Sequence, residues 1–235
     1  MNLAKAVTLV TGANRGLGRS LVNALIDAGA PRIYGGARNL SNLPRYGSTA
    51  AVVPLELDTT AFSQVSRAAF LASDVTLLIN NAGLLPRGSA MSMSEEDLRE
   101  AIEVNLIGTW RMARTFAPII EANGGGAVVN VLSLLSLHNE PSFAAYCAAK
   151  YASWAMTQSL REELAGTRVR VVACFPGGID TDMLAGVPAI KASADQVAVE
   201  IVTAIRRGDS EIFPDPVSMR RGPALLGNER LSTHL

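Results

Sequence analysis

The chain has 235 residues, of which 49% are hydrophobic and 18% charged, and its formal net charge at pH 7 is zero. A balanced charge gives no strong field toward nucleic acid or an anionic membrane, so a small-molecule partner is favoured. A chain of this length is usually one domain, so we expect a single domain over 1–235 whose tail, from about 216, is partly irregular.

Cysteine and histidine are too rare to build a disulfide scaffold or a metal site. Cys147 and Cys174 have no partners at ligand spacing, and the only histidines are His138 and His234. The first ten residues, MNLAKAVTLV, lack the flank and cleavage signature of a signal peptide, and no apolar run reaches membrane-spanning length. The sequence therefore predicts a cytoplasmic protein without a metal or a membrane span.

Strand and helix signals alternate along the chain. Short apolar or β-branched runs predict strands at 6–10, 32–35, 51–57, 75–80, 127–132, 168–175 and 211–213. Helical spacing predicts helices at 17–28, 62–72, 95–122, 143–164 and 194–207. This alternation predicts an α/β fold: a doubly wound parallel sheet with helices on both faces, in three layers α/β/α.

A glycine-rich turn follows the first predicted strand. Gly12, Gly16 and Gly18 lie in VTLVTGANRGLG, residues 7–18, where backbone N–H groups would face outward at the positive end of the next helix. Side chains at these positions would block close approach of a pyrophosphate. The spacing differs from the G-x-G-x-x-G fingerprint, so the turn alone is compatible with a phosphate site or a plain loop.

Tyr146 and Lys150 lie four residues apart in a predicted helix and therefore on one face. A phenol on such a face can serve as an acid or base, but free tyrosine titrates near pH 10, too high for efficient acid–base work at neutral pH. An ammonium about 4 Å away would stabilise the phenolate by about 4 kcal/mol at an effective dielectric constant near 20. We therefore expect Lys150 to lower the pKa of Tyr146.

Two further polar residues stand out near this pair. Ser133 ends the predicted strand at 127–132, where an α/β sheet presents side chains to its crevice, and its hydroxyl can donate to a substrate oxygen. Ser136 is the reserve candidate. Asn105 lies among apolar residues of the predicted helix at 95–122, where a buried amide must find hydrogen bonds; alone, it is compatible with a helix kink or an interface.

Taken together in chain order, TGANRGLG (11–18), NNAG (80–83), Asn105, Ser133, YCAAK (146–150) and PGGIDT (176–181) resemble the short-chain dehydrogenase/reductase family in its short single-domain form. The resemblance covers residue 5 to about 215 and implies a Rossmann-type sheet, an oxidoreductase activity and a nicotinamide cofactor. It implies Ser133, Tyr146 and Lys150 as catalytic, and Asn105 as the residue that holds a water linking Lys150 to solvent.

The same resemblance implies a set of cofactor-binding positions. These are Gly12, Asn14, Arg15, Gly16, Leu17, Gly18, Arg38, Asp58, Asn80, Ala82, Gly83, Tyr146, Lys150, Pro176, Gly177, Ile179 and Thr181. Asp58 would contact adenine or, alternatively, cap the following helix. Asn80, Ala82 and Gly83 would line the adenosine ribose or brace the sheet beside it, and Ile179 and Thr181 would hold the nicotinamide carboxamide.

The second predicted strand favours NADP(H) over NAD(H). An acidic residue about twenty positions past the glycines holds the ribose 2′-hydroxyl of NAD, whereas an arginine accommodates the 2′-phosphate of NADP. Arg38 occupies that position, and no acidic residue occurs between Asp27 and Glu56. Arg15, in the glycine turn, is the family's other usual contact to this phosphate, so the sequence predicts NADP as the cofactor.

The substrate is not identified by these patterns. Six residues near the catalytic positions are candidates for an apolar pocket or for ordinary packing: Leu85, Leu134, His138, Phe143, Met183 and Leu184. The segment after Thr181 is short for a substrate lid, which favours an open mouth that accepts varied carbonyl compounds.

We therefore expect an NADPH-dependent carbonyl reductase that acts on a small-molecule carbonyl or alcohol. Two alternatives are a 3-oxoacyl thioester reductase and a non-catalytic dinucleotide-sensing protein. The predicted helices at 95–122 and 143–164 carry apolar residues beyond the apparent need of one sheet face, among them Trp110, Met112, Trp154 and Met156. The resemblance implies that these helices pair in a homodimer or homotetramer, while an apolar core is the competing explanation.

Overall fold

The computed structural model describes residues 1–44, 46 and 51–232, and for 51 and 228–232 it describes the backbone alone. The strands are β1 Val7–Thr11, β2 Arg32–Ala37, β3 Ala51–Glu56, β4 Leu77–Asn80, β5 Gly126–Val131, β6 Val169–Cys174, β7 Ile179–Asp180, β8 Ala192–Ser193 and β9 Glu211–Ile212. Seven of them form one parallel sheet in the order β3-β2-β1-β4-β5-β6-β9, and β7 pairs with β8 separately.

Helices cover both faces of the large sheet. They are α1 Gly16–Asp27, α2 Phe62–Leu71, α3 Glu95–Ile102, α4 Thr109–Ala122, α5 Ala144–Glu163, α6 Ala194–Arg207 and α7 Pro216–Ser232. Leu21 of α1 and Ile201 of α6 pack in the core on one face, and Phe116 of α4 and Leu160 of α5 pack in the core on the other. Because both faces are buried, the central strands are almost wholly apolar. The predicted α/β fold with three layers is confirmed.

The winding of the sheet reverses at β1. This strand pairs with β2 on one side and with β4 on the other, so the turns that follow β1 and β4 leave the same edge side by side. Ligands of open α/β sheets bind beyond the carboxyl ends of the strands at such a point. The fold thus places the glycine turn beside the residues 80–83.

The single helix predicted at 95–122 is wrong. The structure divides it into α3, a π-helical segment Glu103–Gly108 and α4. Within the π-helical segment, the side chain of Asn105 forms hydrogen bonds with the backbone of Leu84. The backbone carbonyl of Asn105 accepts a hydrogen bond from Ser153 Oγ at 2.9 Å. Ser153, which lies outside this helix, therefore bonds to a backbone carbonyl that a regular α-helix would satisfy internally.

The irregular tail predicted from about 216 is also wrong, because α7 occupies it. Asp215 caps this helix: its Oδ1 accepts from the backbone N–H groups of Val217 at 3.0 Å and Ser218 at 2.9 Å, and Pro216 takes the first helical position. Leu226 anchors the helix in a cluster with Trp154. The expected frayed end at 233–235 lies outside the described residues.

Candidate active site

A cavity of 2220 Å³ opens along the carboxyl edge of the sheet. It exceeds the ~300–1,000 Å³ of an ordinary ligand pocket, which leaves room for a dinucleotide together with a substrate. Of the predicted site residues, the structure brings the following to this cavity: Gly12, Asn14, Arg15, Gly16, Leu17, Gly18, Arg38, Asp58, Ala82, Gly83, Asn105, Ser133, Tyr146, Lys150, Pro176, Gly177, Ile179 and Thr181.

The glycine turn presents backbone amides to this cavity. Gly12 and Gly16 have φ angles of +67° and +50°, in the left-handed region that favours glycine. Arg15 is the N-cap of α1 and makes no side-chain capping hydrogen bond, so no cap side chain covers the first amides of the helix. An uncovered helix N-terminus is a favourable place for a phosphate.

Gly18 lines the cavity and has a second role inside the turn. A Cβ at this position would collide with the backbone of Gly12 and would lie 2.6 Å from Asn81 Nδ2. Gly18 is therefore required for close packing of α1 on the turn.

The end of β4 decides between the two roles that were expected for Asn80. Asn80 does not line the cavity: it is buried, and its Nδ2 donates to Asn130 Oδ1 at 2.9 Å and to the Thr109 carbonyl at 3.3 Å. Asn81 takes the place beside the glycine turn, and its Nδ2 donates to the Thr11 carbonyl at 2.9 Å. Strand alternation explains the exchange, since successive side chains point to opposite faces. Asn80 therefore braces the sheet.

Asp58 follows β3 and lines the cavity without capping a helix. The N-cap of α2 is Ala61, whereas Asp58 Oδ1 accepts from the backbone N–H of Thr60 at 2.9 Å and from its hydroxyl at 2.7 Å. The alternative that Asp58 is a helix cap is thus wrong. The Thr60 contacts fix its carboxylate in a local turn.

Two arginines stand at the glycine-turn end of the cavity. Arg38 directly follows β2 and is exposed. The Arg15 guanidinium lies 3.7 Å from the Asp182 carboxylate, and both side chains are exposed. An exposed pair of this kind is weak, so Arg15 remains available to a bound anion.

Ser133 lies two residues beyond β5, facing the cavity. It is the N-cap of a short 3₁₀ turn, and its Oγ accepts from the Leu135 N–H at 3.1 Å. Ser136, the reserve candidate, is fully buried behind it and accepts from the Ser133 N–H at 3.2 Å. Ser136 does not line the cavity, which leaves Ser133 as the candidate.

Tyr146 and Lys150 lie on one face of α5, as their spacing predicts, and both are buried. Lys150 Nζ donates to the Val131 carbonyl at 2.8 Å and lies 5.7 Å from the centroid of the Tyr146 ring. The Ser133 side chain acts on the pKa of Tyr146, which places the two hydroxyl groups near each other. The helix therefore brings the phenol, the ammonium and the serine hydroxyl together.

The expected lowering of the Tyr146 pKa is wrong for the chain by itself. Burial raises the pKa of Tyr146 to about 12, although the Ser133 side chain acts in the opposite direction. Burial also lowers the pKa of Lys150 to about 8. Desolvation is the largest effect at both groups, and the ammonium donates its hydrogen bond to Val131.

The side chain of Asn105 is occupied by backbone groups. Its Oδ1 accepts from the Leu84 N–H at 3.3 Å and its Nδ2 donates to the Leu84 carbonyl at 3.0 Å. Gly83 adjoins the same amide, because a Cβ there would lie 2.9 Å from Oδ1. Asn105 thus ties the segment after β4 to the π-helical segment.

Asp215 is a residue of the site that the sequence patterns did not single out. Its Oδ2 accepts from the Gly177 N–H at 2.7 Å, while Oδ1 caps α7. The carboxylate joins the turn after β6 to the last helix, close to Ile179. The sequence Asp-Pro-x-Ser at residues 215–218 is typical of a helix start and could have predicted this capping role.

Arg220 and Arg221 on α7 also line the cavity and had no sequence signal. The six predicted pocket residues, Leu85, Leu134, His138, Phe143, Met183 and Leu184, line it as well. Within the described part of the chain, no three His, Cys, Asp or Glu side chains gather as a possible metal site, and no helix has the length and apolar character to cross a bilayer. His234 lies outside the described residues.

Comparisons with known proteins agree with this fold. Residues 6–191 match the short chain dehydrogenase family. A 3alpha-hydroxysteroid dehydrogenase of Mediterraneibacter gnavus is 31% identical over 200 residues, which cover 80% of this chain and 79% of that protein. A 3-oxoacyl-acyl-carrier-protein reductase of Thermotoga maritima is 32% identical over 196 residues, 80% of each chain.

A solved structure is similar over almost the whole length. It is a short chain dehydrogenase from Burkholderia cenocepacia in complex with NADP, which is 39% identical, has a TM-score of 0.91, and covers 98% of this chain and 97% of its own. The family match, the curated relatives and the shared fold all agree. The chain therefore belongs to the short-chain dehydrogenase/reductase family of oxidoreductases.

Proposed function

We propose that this chain is an NADP(H)-dependent carbonyl reductase, which in reverse oxidises secondary alcohols. The observation that carries the proposal is the convergence of Ser133, Tyr146 and Lys150 on a cavity that begins at the glycine turn. A protein that only senses a dinucleotide needs the turn but has no use for an acid–base set. The complete set therefore favours catalysis over the non-catalytic alternative.

The residues present fit a dinucleotide that carries a 2′-phosphate. The uncapped amides of α1 would hold the pyrophosphate, and Arg38 with Arg15 would hold the 2′-phosphate. Ile179 and Thr181 would hold the nicotinamide carboxamide, and Asp58 the adenine. The NADP in the Burkholderia relative supports the same choice. When bound, NADPH supplies the hydride that reduces the carbonyl carbon.

The chain's own groups would manage the charge on the substrate oxygen. Ser133 would donate a hydrogen bond to that oxygen as negative charge develops, and Tyr146 would transfer its proton to it. The phenol carries its proton at neutral pH, which is the form that reduction requires. Lys150 would hold the nicotinamide ribose. The Asn105 backbone carbonyl accepts one hydrogen bond from Ser153 and would accept a second from a water that links Lys150 to solvent.

A second candidate function is reduction of a 3-oxoacyl thioester. The 32% identity with the Thermotoga 3-oxoacyl-acyl-carrier-protein reductase favours it, and it uses the same Ser133, Tyr146 and Lys150.

The segment 181–191 lies over the cavity as the proposed lid, closed at its base by the pairing of β7 with β8. Its short length favours a mouth that accepts several carbonyl compounds.

We also propose a cytoplasmic homodimer or homotetramer that pairs through α4 and α5. The structure reassigns part of the apolar excess on these helices, since Met112 and Trp154 are fully buried core residues. Trp110 and Met156 are half-buried and remain candidates for the interface. The Arg114 guanidinium lies over the Trp110 ring, 5.3 Å from the centroid of that ring.

The test is NADPH oxidation across a panel of ketones, aldehydes and 3-oxoacyl thioesters. We expect turnover of several ketones, and a loss of about a hundredfold to ten-thousandfold in Tyr146→Phe with nearly unchanged NADPH affinity. Retained activity in this variant would remove Tyr146 from its role. NADPH binding without turnover of any panel member would favour the sensing alternative, and one strongly preferred substrate would contradict the open mouth.

A further inference from the structure

Three segments line the cavity outside the proposed cofactor-binding positions, and we call their residues the substrate end. The loop after β5 contributes Leu134 and His138, the lid contributes Met183, Leu184 and Ile190, and α7 contributes Val217, Arg220 and Arg221. Three of these residues come from a helix that the sequence did not predict.

The position of α7 is fixed on several sides. Asp215 ties its first turn to Gly177, and Leu226 packs in the cluster that contains Trp154. Gly222 lies so close to the Phe213 ring that a Cβ would collide with it. Val217, Arg220 and Arg221 are related by steps of three and four residues and so share one helix face. That face is the one that lines the cavity.

The two arginines bring positive charge to this end without a local counter-ion. Both are exposed, and among the described side chains no carboxylate lies within 4 Å of either guanidinium. Two other carboxylates of the cavity have cationic partners, Glu95 with Arg99 and Glu103 with Arg111, while Asp182 is exposed and pairs only weakly with Arg15. Glu96 and Glu100 are on α3, and Glu140 accepts from the Ser142 N–H at 3.3 Å.

Two cationic side chains on one helix, without a counter-ion among the described side chains, favour the binding of an anion. Their forked donors suit the oxygens of a carboxylate or a phosphate. Apart from His138, the other residues of the substrate end are apolar, and Ile190 and Met183 are 78% and 41% exposed. The substrate end therefore combines an apolar wall with a cationic rim.

We infer that the substrate is a carbonyl compound with an apolar body and a terminal anion, carboxylate or phosphate, which Arg220 and Arg221 bind. This inference rests on the proposed reductase function, because it concerns the substrate of that site. The proposed anion-binding pair also gives a role to the hydrogen bond between Gly177 and Asp215, because this bond fixes the helix that carries both arginines.

The test compares three probes with one carbon skeleton: an oxo-octanoate with its ketone next to the terminal methyl, the methyl ester of that acid, and the matching oxo-octyl phosphate. We expect kcat/KM for at least one anionic probe to exceed that for the ester about tenfold. In the double variant Arg220→Gln and Arg221→Gln the preference should vanish through KM, with kcat nearly unchanged. The probe that loses more identifies carboxylate or phosphate as the bound anion.

Arg206→Gln serves as the matched control, because Arg206 is an exposed arginine of α6 that does not line the cavity. It should leave the preference intact. Equal kcat/KM for ester and anions in the native chain, or an unchanged preference in the double variant, would overturn the inference while the reductase function stands.

Calorimetric binding of the probes to Tyr146→Phe protein saturated with NADPH separates the two proposals. Suppose that the native chain turns over none of the probes, yet binds the anionic ones, and that Arg220→Gln with Arg221→Gln abolishes this binding. The anion site would then stand and the reductase function would be rejected. Absence of anion binding would overturn the inference.

Discussion

The ammonium of Lys150 donates a hydrogen bond to the backbone carbonyl of Val131 at 2.8 Å. Val131 ends β5, and Ser133 follows two residues later, so this contact fixes α5 against the strand that presents the serine. It also holds Nζ 5.7 Å from the centroid of the Tyr146 ring. Lys150 thus braces the two elements that carry the proposed catalytic groups, and it does so as a buried cation.

The first prediction concerns the free energy cost of that burial. Replacing Lys150 by Met should raise the unfolding free energy of the cofactor-free protein at pH 7 by about 1–2 kcal/mol, while it abolishes turnover. Removing the desolvated charge outweighs the lost hydrogen bond to Val131, which is worth about 1 kcal/mol. Urea denaturation measures the change, and the exposed Lys5→Met is the control, with a change below about 0.5 kcal/mol.

The same comparison has a defined pH dependence. The pKa of Lys150 is about 8 in the folded chain against an ordinary 10.5, so the folded state binds fewer protons than the unfolded state between these values. Native stability should therefore rise relative to Lys150→Met from pH 8 to 10.5, by on the order of 3 kcal/mol. A constant difference over this window would show that the ammonium is not desolvated.

The second prediction concerns ionisation of Tyr146 in the cofactor-free chain. Its pKa is raised to about 12 by burial, so the phenol should keep its proton where free tyrosine begins to lose it, near pH 10. The measurement is the tyrosinate absorbance difference between the native chain and Tyr146→Phe, with Tyr151→Phe as a control on the same helix. A Tyr146 signal that develops below pH 9 would show that the lysine prevails over desolvation.

The raised pKa of Tyr146 stabilises the fold below pH 10, and this contribution is lost as the pH approaches 12.

The third prediction concerns Gly18. Gly18→Ala should destabilise the chain by about 3 kcal/mol and weaken dinucleotide binding, because the new Cβ collides with the backbone of Gly12. Gly166→Ala is the matched control: no atom lies within 4 Å of the point that its Cβ would occupy, so stability should change by less than about 0.5 kcal/mol. Thermal unfolding and NADPH titration measure both variants. Equal stability of the two would contradict close packing of α1 on the turn.

The fourth prediction concerns the choice between the two nicotinamide cofactors. Arg38→Asp should weaken NADPH binding at least about tenfold and leave NADH binding equal or tighter, since a carboxylate repels the 2′-phosphate and accepts from a 2′-hydroxyl. Dissociation constants for both cofactors are the measurement, with Arg206→Asp as the control. An unchanged preference, or a native chain that binds NADH as tightly as NADPH, would reject Arg38 as the determinant.

Local sequence by itself determined the order of the elements and the positions where chemistry begins. The period of the apolar residues located the seven strands of the sheet, and the four-residue step from Tyr146 to Lys150 placed both on one helix face. The glycines after β1 marked the turn because positive φ angles at Gly12 and Gly16 are a local backbone requirement. Such features depend on neighbours within one turn or one strand, so they can be read from the chain.

Tertiary structure alone decided what each group meets across the fold. It chose Asn81 over Asn80 beside the glycine turn, broke the helix predicted at 95–122 at Asn105, and brought Arg220 and Arg221 to the cavity. It also reversed the expected pKa direction of Tyr146, because desolvation depends on the atoms that exclude water and not on the spacing of a lysine along one helix. Distances between remote segments and the burial of charge arise only when the layers pack, and for this reason the sequence patterns could not predict them.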